Sequence, residues 1–247
     1  QNTSCFYDEV FALDWLIPDM MAKLKSGLYS STRKMKIVSL GASRLQEAYS
    51  ILMELKRNYD AHPGHWKTPP LDMLSLVCVE KDGAVLKEGL NGKFIPFDLI
   101  HLHEKKWYYS FFGTKLPQPI DKKRYKNIHR FNPDIHKEFL KVIIPVRADM
   151  LKMKDSLADQ ADYILFNGVS IYLKEKQRER LAVKISRWLN QEGVLLTTAA
   201  DQYFHHLPLS RKSYVNRSAV EVTRIYQKNK GISPRSFFSV LKILRAA

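Results

Sequence analysis

The chemistry-bearing residues concentrate in one short stretch, MKIVSLGASRLQEAYS from Met35 to Ser50, where an apolar β-type run ends at a glycine and an amphipathic helix begins almost at once. A residue without a Cβ at Gly41 lets the backbone turn sharply and approach a ligand closely. Ser43 stands where a helix N-cap belongs, and Ala48, Ile51, Leu52 and Leu55 recur behind it at helical spacing. Free amide donors at the start of that helix would face the turn, an arrangement suited to the polar parts of a nucleotide cofactor. Other chemistries are poorly served. His62 and His65, His101 and His103, and His205 and His206 form three close pairs, but in loops with no matching carboxylate or cysteine set, so no metal is assigned. No Walker loop, nucleophile elbow or HExxH helix supports ATPase, esterase or protease activity.

Such a turn needs a strand to deliver it and a sheet to anchor it. Lys36 to Leu40 reads as the first strand, and the proline-rich AHPGHWKTPP from Ala61 to Pro70 as a loop. Leu71 to Val79 reads as a second buried strand, followed by a short helix from Ala84 to Leu90 closed by Asn91 and Gly92. Further strands are expected near Val142 to Val146, Tyr163 to Phe166, Val194 to Thr197 and Val220 to Tyr226. A long helix from Lys174 to Leu189 carries an apolar stripe of Leu181, Ile185, Trp188 and Leu189 and is expected to end at Gly193. Asn2 to Leu24 looks helical, with Phe11, Trp15 and Met21 as contacts and Pro18 kinking or starting a helix. Alternating strands and helices imply an α/β domain with a largely parallel sheet and a ligand site at the carboxyl ends of its strands.

Between Phe97 and Lys141 this rhythm stops. Trp107, Tyr108, Tyr109, Phe111 and Phe112 are followed by Lys122, Lys123, Arg124 and Lys126, an aromatic and basic insertion that forms either the core of a small lobe or a docking surface. The expected organisation is an opening helical segment at 1–34, the first half of the α/β domain at 35–96, the inserted subdomain at 97–141, the second half at 142–230, and a C-terminal helical extension at 231–247.

The 247 residues, 45% of them hydrophobic, are enough to bury a substantial core. No apolar run is long enough for a membrane span, and two cysteines, Cys5 and Cys78, make no disulfide framework, so a reducing cytoplasm is the expected setting. The chain opens on Gln1, which reads as a trimmed start. A net charge of +15 favours polyanions or acidic protein surfaces, although no zinc finger, RNP box or basic zipper accompanies it.

Several separated segments together resemble the chemotaxis-receptor methyltransferases of the CheR type, which transfer a methyl group from S-adenosylmethionine to receptor glutamates. GASRLQEAYS is similar to the family signature GCSTGEEPYS, keeping Gly41, Ser43, Glu47, Tyr49 and Ser50 in register. VEKDGAVLKEGLNGKF resembles the segment in which Glu80 takes the place of a ribose-binding aspartate, with Asp82, Leu86, Gly92 and Phe94 also in register. DYILFNGVSIYL is similar to DxIFCRNVxIYF through Asp162, Ile164, Val169, Ile171 and Tyr172. Weaker likenesses flank these: NTSCFYDEVF resembles the TSFFR opening through Thr3, Ser4 and Phe6, and ADML resembles VNLL, with Asp149 in the asparagine position. The resemblance runs from about Asn2 to Lys228. It implies a class I, Rossmann-like methyltransferase sheet with helices on both faces. It also implies a cofactor site of Thr3, Gly41, Ala42, Ser43, Glu47, Glu80, Asp149, Met150 and Asn167, with Tyr7 and Tyr172 near the reacting methyl group.

Departures from the family pattern cluster on the same face. The second signature glycine is Leu45, the arginine of the opening motif is Tyr7, CRN becomes FNG at Phe166 to Gly168, and the closing GHSE becomes TAAD from Thr198 to Asp201. A tyrosine donates one hydrogen bond where an arginine offers a bidentate fork. Two function classes therefore stay open, with a third behind them. The first is an S-adenosylmethionine-dependent methyltransferase acting on a protein carboxylate, with S-adenosylhomocysteine as product. The second is a catalytically inactive binding module that still holds either ligand, and the third is a basic nucleic-acid methyltransferase. A protein partner, contacted through 97–141, is the expected substrate.

Overall fold

The computed structural model describes residues 10–94, 110–112, 129–197, 209–213 and 224–228. In chain order its elements are helix α1 (Val10–Lys25), strand β1 (Met35–Leu40), α2 (Gln46–Ala61), β2 (Leu74–Glu80), α3 (Gly83–Leu90), β3 (Lys93–Phe94), β4 (His129–Arg130), α4 (Pro133–Leu140), β5 (Ile143–Arg147), β6 (Ala161–Phe166), α5 (Glu175–Trp188), β7 (Leu189–Thr197), β8 (Leu209–Ser213) and β9 (Arg224–Lys228). The fold class is α/β with largely parallel strands, as the alternation of elements requires. The chain divides into two compact units, Gln1–Met35 with Gly41–Ala148, and Lys36–Leu40 with Asp149–Ala247.

In the first unit, β2 and β5 pair in parallel from Leu76 opposite Ile143 to Glu80 opposite Arg147. Helix α3 packs on both strands, α4 on β5, and α1 on α2. Pro18 lies inside α1. The part of the expected insertion that is described supplies core rather than a surface: Phe111, Phe112, Phe131 and Phe139 are buried together with Phe94 and Tyr49. Ring centroids of Tyr49 and Phe131 lie 4.7 Å apart, and those of Phe112 and Phe131 also 4.7 Å. Trp107 to Tyr109 and the basic run Lys122 to Lys126 lie outside the described residues, as does the expected helical extension at 231–247.

In the second unit, β1, β6 and β7 run parallel, with Ile37 to Ser39 opposite Tyr163 to Leu165, and Tyr163 to Phe166 opposite Val194 to Thr197. All six residues of β6 are buried, the pattern of a strand covered on both faces. β9 is antiparallel to both β7 and β8, so this edge of the sheet reverses direction. Helix α5 packs against β7.

One sequence expectation needs correcting here. Gly193 does not end the long helix: α5 stops at Trp188, Leu189 already has extended backbone, and Gly193 lies inside β7. A Cβ at Gly193 would stand 2.8 Å from the Ala161 carbonyl oxygen, beside the register shift between Ala161 and Tyr163, so the glycine serves a close strand contact. Of the expected strand Val220 to Tyr226, Val220 to Thr223 lie outside the described residues, and Arg224 to Tyr226 belong to β9.

Candidate functional site

Strand β1 runs directly into the glycine turn. Gly41 has φ +77°, Ser43 +49° and Leu45 +65°, so three of five consecutive residues adopt the left-handed region and two of them are not glycine. Such backbone is disfavoured for L side chains and persists only where surroundings hold it. Here the holding groups are identifiable. The Gly41 and Ala42 amides both donate to the Val79 carbonyl at 2.9 Å, and the Leu45 amide closes a tight turn on the Ala42 carbonyl at 2.7 Å. The Ser43 amide donates to Glu80 Oε2 at 2.9 Å, and the Asp82 amide donates to Glu80 Oε1, also at 2.9 Å. Glu80 thus brackets the turn after β1 to the turn after β2.

The N-cap of α2 is Leu45, not Ser43, and no side chain caps it. Leu45 is fully buried, so its bulk packs into the core instead of standing in the turn's opening. The Ser43 side chain is 3% exposed and its Oγ has no hydrogen-bond partner. Glu47, in the first turn of α2, stands close enough to Cys78 to add to the effect of burial, and together they push the Cys78 thiol far above its ordinary range.

Two features of this region escaped sequence reading. Asp82 is the N-cap of α3, its carboxylate accepting the Ala84 and Val85 amides at 2.9 and 3.3 Å. Gly89 lets α3 press onto the glycine turn, because a Cβ there would lie 2.5 Å from the Arg44 carbonyl oxygen. The Tyr49 hydroxyl donates to the Gly89 carbonyl at 3.0 Å and meets His136 Nε2 at 3.1 Å, while Arg44 Nε pairs with Glu88 at 2.8 Å. A glycine in a helix interior costs about 1 kcal/mol relative to alanine, so its presence was itself the available signal. Burial raises the Tyr49 hydroxyl above its usual range and lowers the His136 imidazole.

The second unit carries the remaining predicted residues. Asp149 closes a local turn by accepting the Leu151 amide at 3.0 Å, and Met150 sits inside that turn. The segment is tied down by Lys184, whose Nζ donates to the Met153 and Leu151 carbonyls at 3.0 and 3.4 Å, and by Trp188 Nε1 donating to Asp155 at 2.9 Å. Asp162, from the third matched segment, has a structural task. It accepts the Lys36 amide at 2.7 Å and the Asn190 side-chain amide at 2.6 Å, joining the starts of β1, β6 and β7. At the other end of β6, Asn167 is half-buried, Gly168 has φ +65°, and Ser170 is buried with its Oγ unpartnered. Ile171 and Tyr172 follow at 60% and 66% exposure, so the tyrosine is a surface side chain and not part of the core.

The structure therefore brings Gly41, Ala42, Ser43, Glu47 and Glu80 together in the first unit, and places Asp149, Met150, Asn167 and Tyr172 in the second. Thr3, Tyr7 and the TAAD segment lie outside the described residues. A separate groove of about 570 Å³ along α1 and α2, lined by Leu13, Ile17, Met21, Glu54, Arg57 and Asn58 among others, includes none of these positions. Among the described residues no group of three or more His, Cys, Asp or Glu could hold a metal ion, and no helix is long and apolar enough to cross a membrane.

Comparison with known proteins follows the same lines. The family model described as CheR methyltransferase, SAM binding domain, matches residues 2–216. A chemotaxis protein methyltransferase from Borreliella burgdorferi is 25% identical over 197 residues, 79% of this chain and 62% of that protein, so the chain spans less than two thirds of this relative's length. Among solved structures, a TehB-like SAM-dependent methyltransferase from Corynebacterium glutamicum has a TM-score of 0.45 at 12% identity, covering 90% of this chain and 97% of its own. A Burkholderia thailandensis 1,6-didemethyltoxoflavin-N1-methyltransferase with bound S-adenosylhomocysteine has a TM-score of 0.42 at 11% identity, covering 87% and 78%.

Proposed function

The chain belongs to the CheR methyltransferase family by its SAM-binding domain, and from that premise we propose that it transfers a methyl group from S-adenosylmethionine to a carboxylate side chain of a protein partner. The observation that carries the reading is the glycine turn held in left-handed backbone by Val79 and Glu80, with the buried Ser43 Oγ left unpartnered. An orphaned buried hydroxyl costs free energy unless something completes it, and a polar ligand against this turn would do so. The residues present fit the cofactor in this respect.

When bound, S-adenosylmethionine supplies a methyl group on a sulfonium, and its displacement by a carboxylate oxygen breaks the carbon–sulfur bond and leaves a thioether, S-adenosylhomocysteine, with no proton transferred. An unperturbed glutamate has a pKa of about 4.3, so the acceptor is already ionised at neutral pH and the protein needs no general base. Its work is alignment, which supplies much of the acceleration in a displacement of this kind. Gly41 to Ser43, Glu47 and Glu80 are the residues we assign to the cofactor side, and family resemblance alone adds Thr3, Asp149, Met150 and Asn167 to that role. The same resemblance assigns Tyr172 and Tyr7 to the acceptor side, and a tyrosine at position 7 offers one hydrogen bond where the family has an arginine.

Calorimetric titration with S-adenosylmethionine and S-adenosylhomocysteine tests this. Saturable micromolar binding is expected, and Gly41→Trp, which forces a bulky side chain into φ +77° backbone, abolishes it. No heat at millimolar ligand overturns the reading. Binding without transfer of labelled methyl to receptor fragments identifies the inactive module instead.

A further inference from the structure

We infer that Glu80 is a positioning residue that serves the cofactor through the glycine turn, beyond the ribose contact that family resemblance implies; the inference rests on the methyltransferase reading above. Each oxygen of the Glu80 carboxylate accepts one backbone amide, Oε2 from Ser43 and Oε1 from Asp82, both at 2.9 Å. These donors belong to different turns. One lies in the turn containing left-handed Ser43 and Leu45, and the other is the residue that caps α3 with its own carboxylate. A hydrogen bond accepted by a charged group is about twice as strong as a neutral one, and only an acidic side chain presents two equivalent acceptors to two diverging amides.

The geometry explains why a non-glycine residue tolerates φ +49° at position 43. The Ser43 amide is directed at a fixed anion, and releasing it would let the residue return to the favoured right-handed region. Glutamate also suits this task better than the family's aspartate: its extra methylene lets one side chain at the end of β2 span both turns. Each oxygen retains further lone-pair capacity, so a ribose hydroxyl is an addition to this bracket and not its purpose.

Two measurements separate the alternatives. In the ligand-free protein, Glu80→Gln keeps the shape but offers a single oxygen acceptor, so amide hydrogen exchange is expected to accelerate at least tenfold at Ser43, Asp82 or both, with β7 amides unchanged. Glu80→Asp retains the charge but is too short to protect both. For binding, Glu80→Gln is expected to weaken the 2′,3′-dideoxy analogue of S-adenosylhomocysteine about tenfold, because that loss passes through the turn, and to weaken S-adenosylhomocysteine at least as much. Unchanged exchange at both amides in both variants overturns the bracket. A loss confined to S-adenosylhomocysteine, with the dideoxy analogue bound equally by native and variant protein, overturns the positioning role in favour of a direct ribose contact. Accelerated exchange with no binding of either ligand to the native protein leaves the bracket standing but overturns its link to the cofactor, and with it the methyltransferase reading.

Discussion

The turn after β1 and the segment after β6 both leave the carboxyl end of a parallel strand, yet they are built in opposite ways. The first is backbone held by backbone: Ala42, Ser43 and Leu45 are buried, two amides share the Val79 carbonyl, and a third is fixed by Glu80. The second ends in two large side chains, Ile171 and Tyr172, that are mostly open to solvent. A small ligand recognised by main-chain groups needs the first construction, because its contacts tolerate little backbone movement. Exposed apolar and aromatic side chains of the second kind bury area only on contact with another surface, which under the proposed function is the methyl acceptor.

The comparison predicts a graded set of mutational effects. Leu45→Gly should cost most. Relieving left-handed strain returns about 1–2 kcal/mol, but emptying a fully buried leucine site costs about 3–5 kcal/mol, so urea denaturation should show a net loss of about 1–4 kcal/mol. A stabilised variant would mean that strain, not packing, dominates the turn. Gly89→Ala should cost about 1–3 kcal/mol in thermal unfolding, because its Cβ meets the Arg44 carbonyl and the turn must give way. Tyr49→Phe, which removes the hydroxyl shared by Gly89 and His136, should cost about 1 kcal/mol.

A pH effect on the same cluster follows from burial. Since His136 binds its proton less readily folded than unfolded, the unfolded chain takes up more protons, and stability should fall as pH drops below the ordinary histidine value of 6.5. Folding measured against pH in native protein and His136→Gln checks this: the native curve bends downward on acidification and the variant loses that component. Ile171→Ser and Tyr172→Ala should change stability least, within about 0.5 kcal/mol, while lowering methyl transfer to a protein acceptor. If they unfold the protein instead, the contrast between the two regions is broken.

Much of this architecture was legible beforehand, for a specific reason. The run Ile37 to Leu40 and the helical spacing of Ala48, Ile51, Leu52 and Leu55 record burial directly in residue order, and the structure buries all of them. Legibility failed where a polar residue belonged inside an element. Asp162 made β6 read as starting at Tyr163, because nothing local reveals that Lys36 and Asn190 satisfy its carboxylate. Ser43 read as an N-cap because serine usually serves as one. In the structure its amide turns to Glu80, and the cap falls to Leu45.

From its order of residues alone, this chain determined that strands and helices alternate and that a glycine turn leads from the first strand into a helix, since periodic burial and the freedom of glycine act over a few neighbouring positions. Tertiary structure alone decided that two non-glycine residues of the glycine turn, Ser43 and Leu45, adopt left-handed backbone, that Gly89 admits a neighbouring carbonyl, and that one glutamate carboxylate serves two turns. The physical reason is distance along the chain: the partner that holds the Ser43 amide is 37 residues away, and hydrogen bonds of that range exist only once packing has brought their ends together.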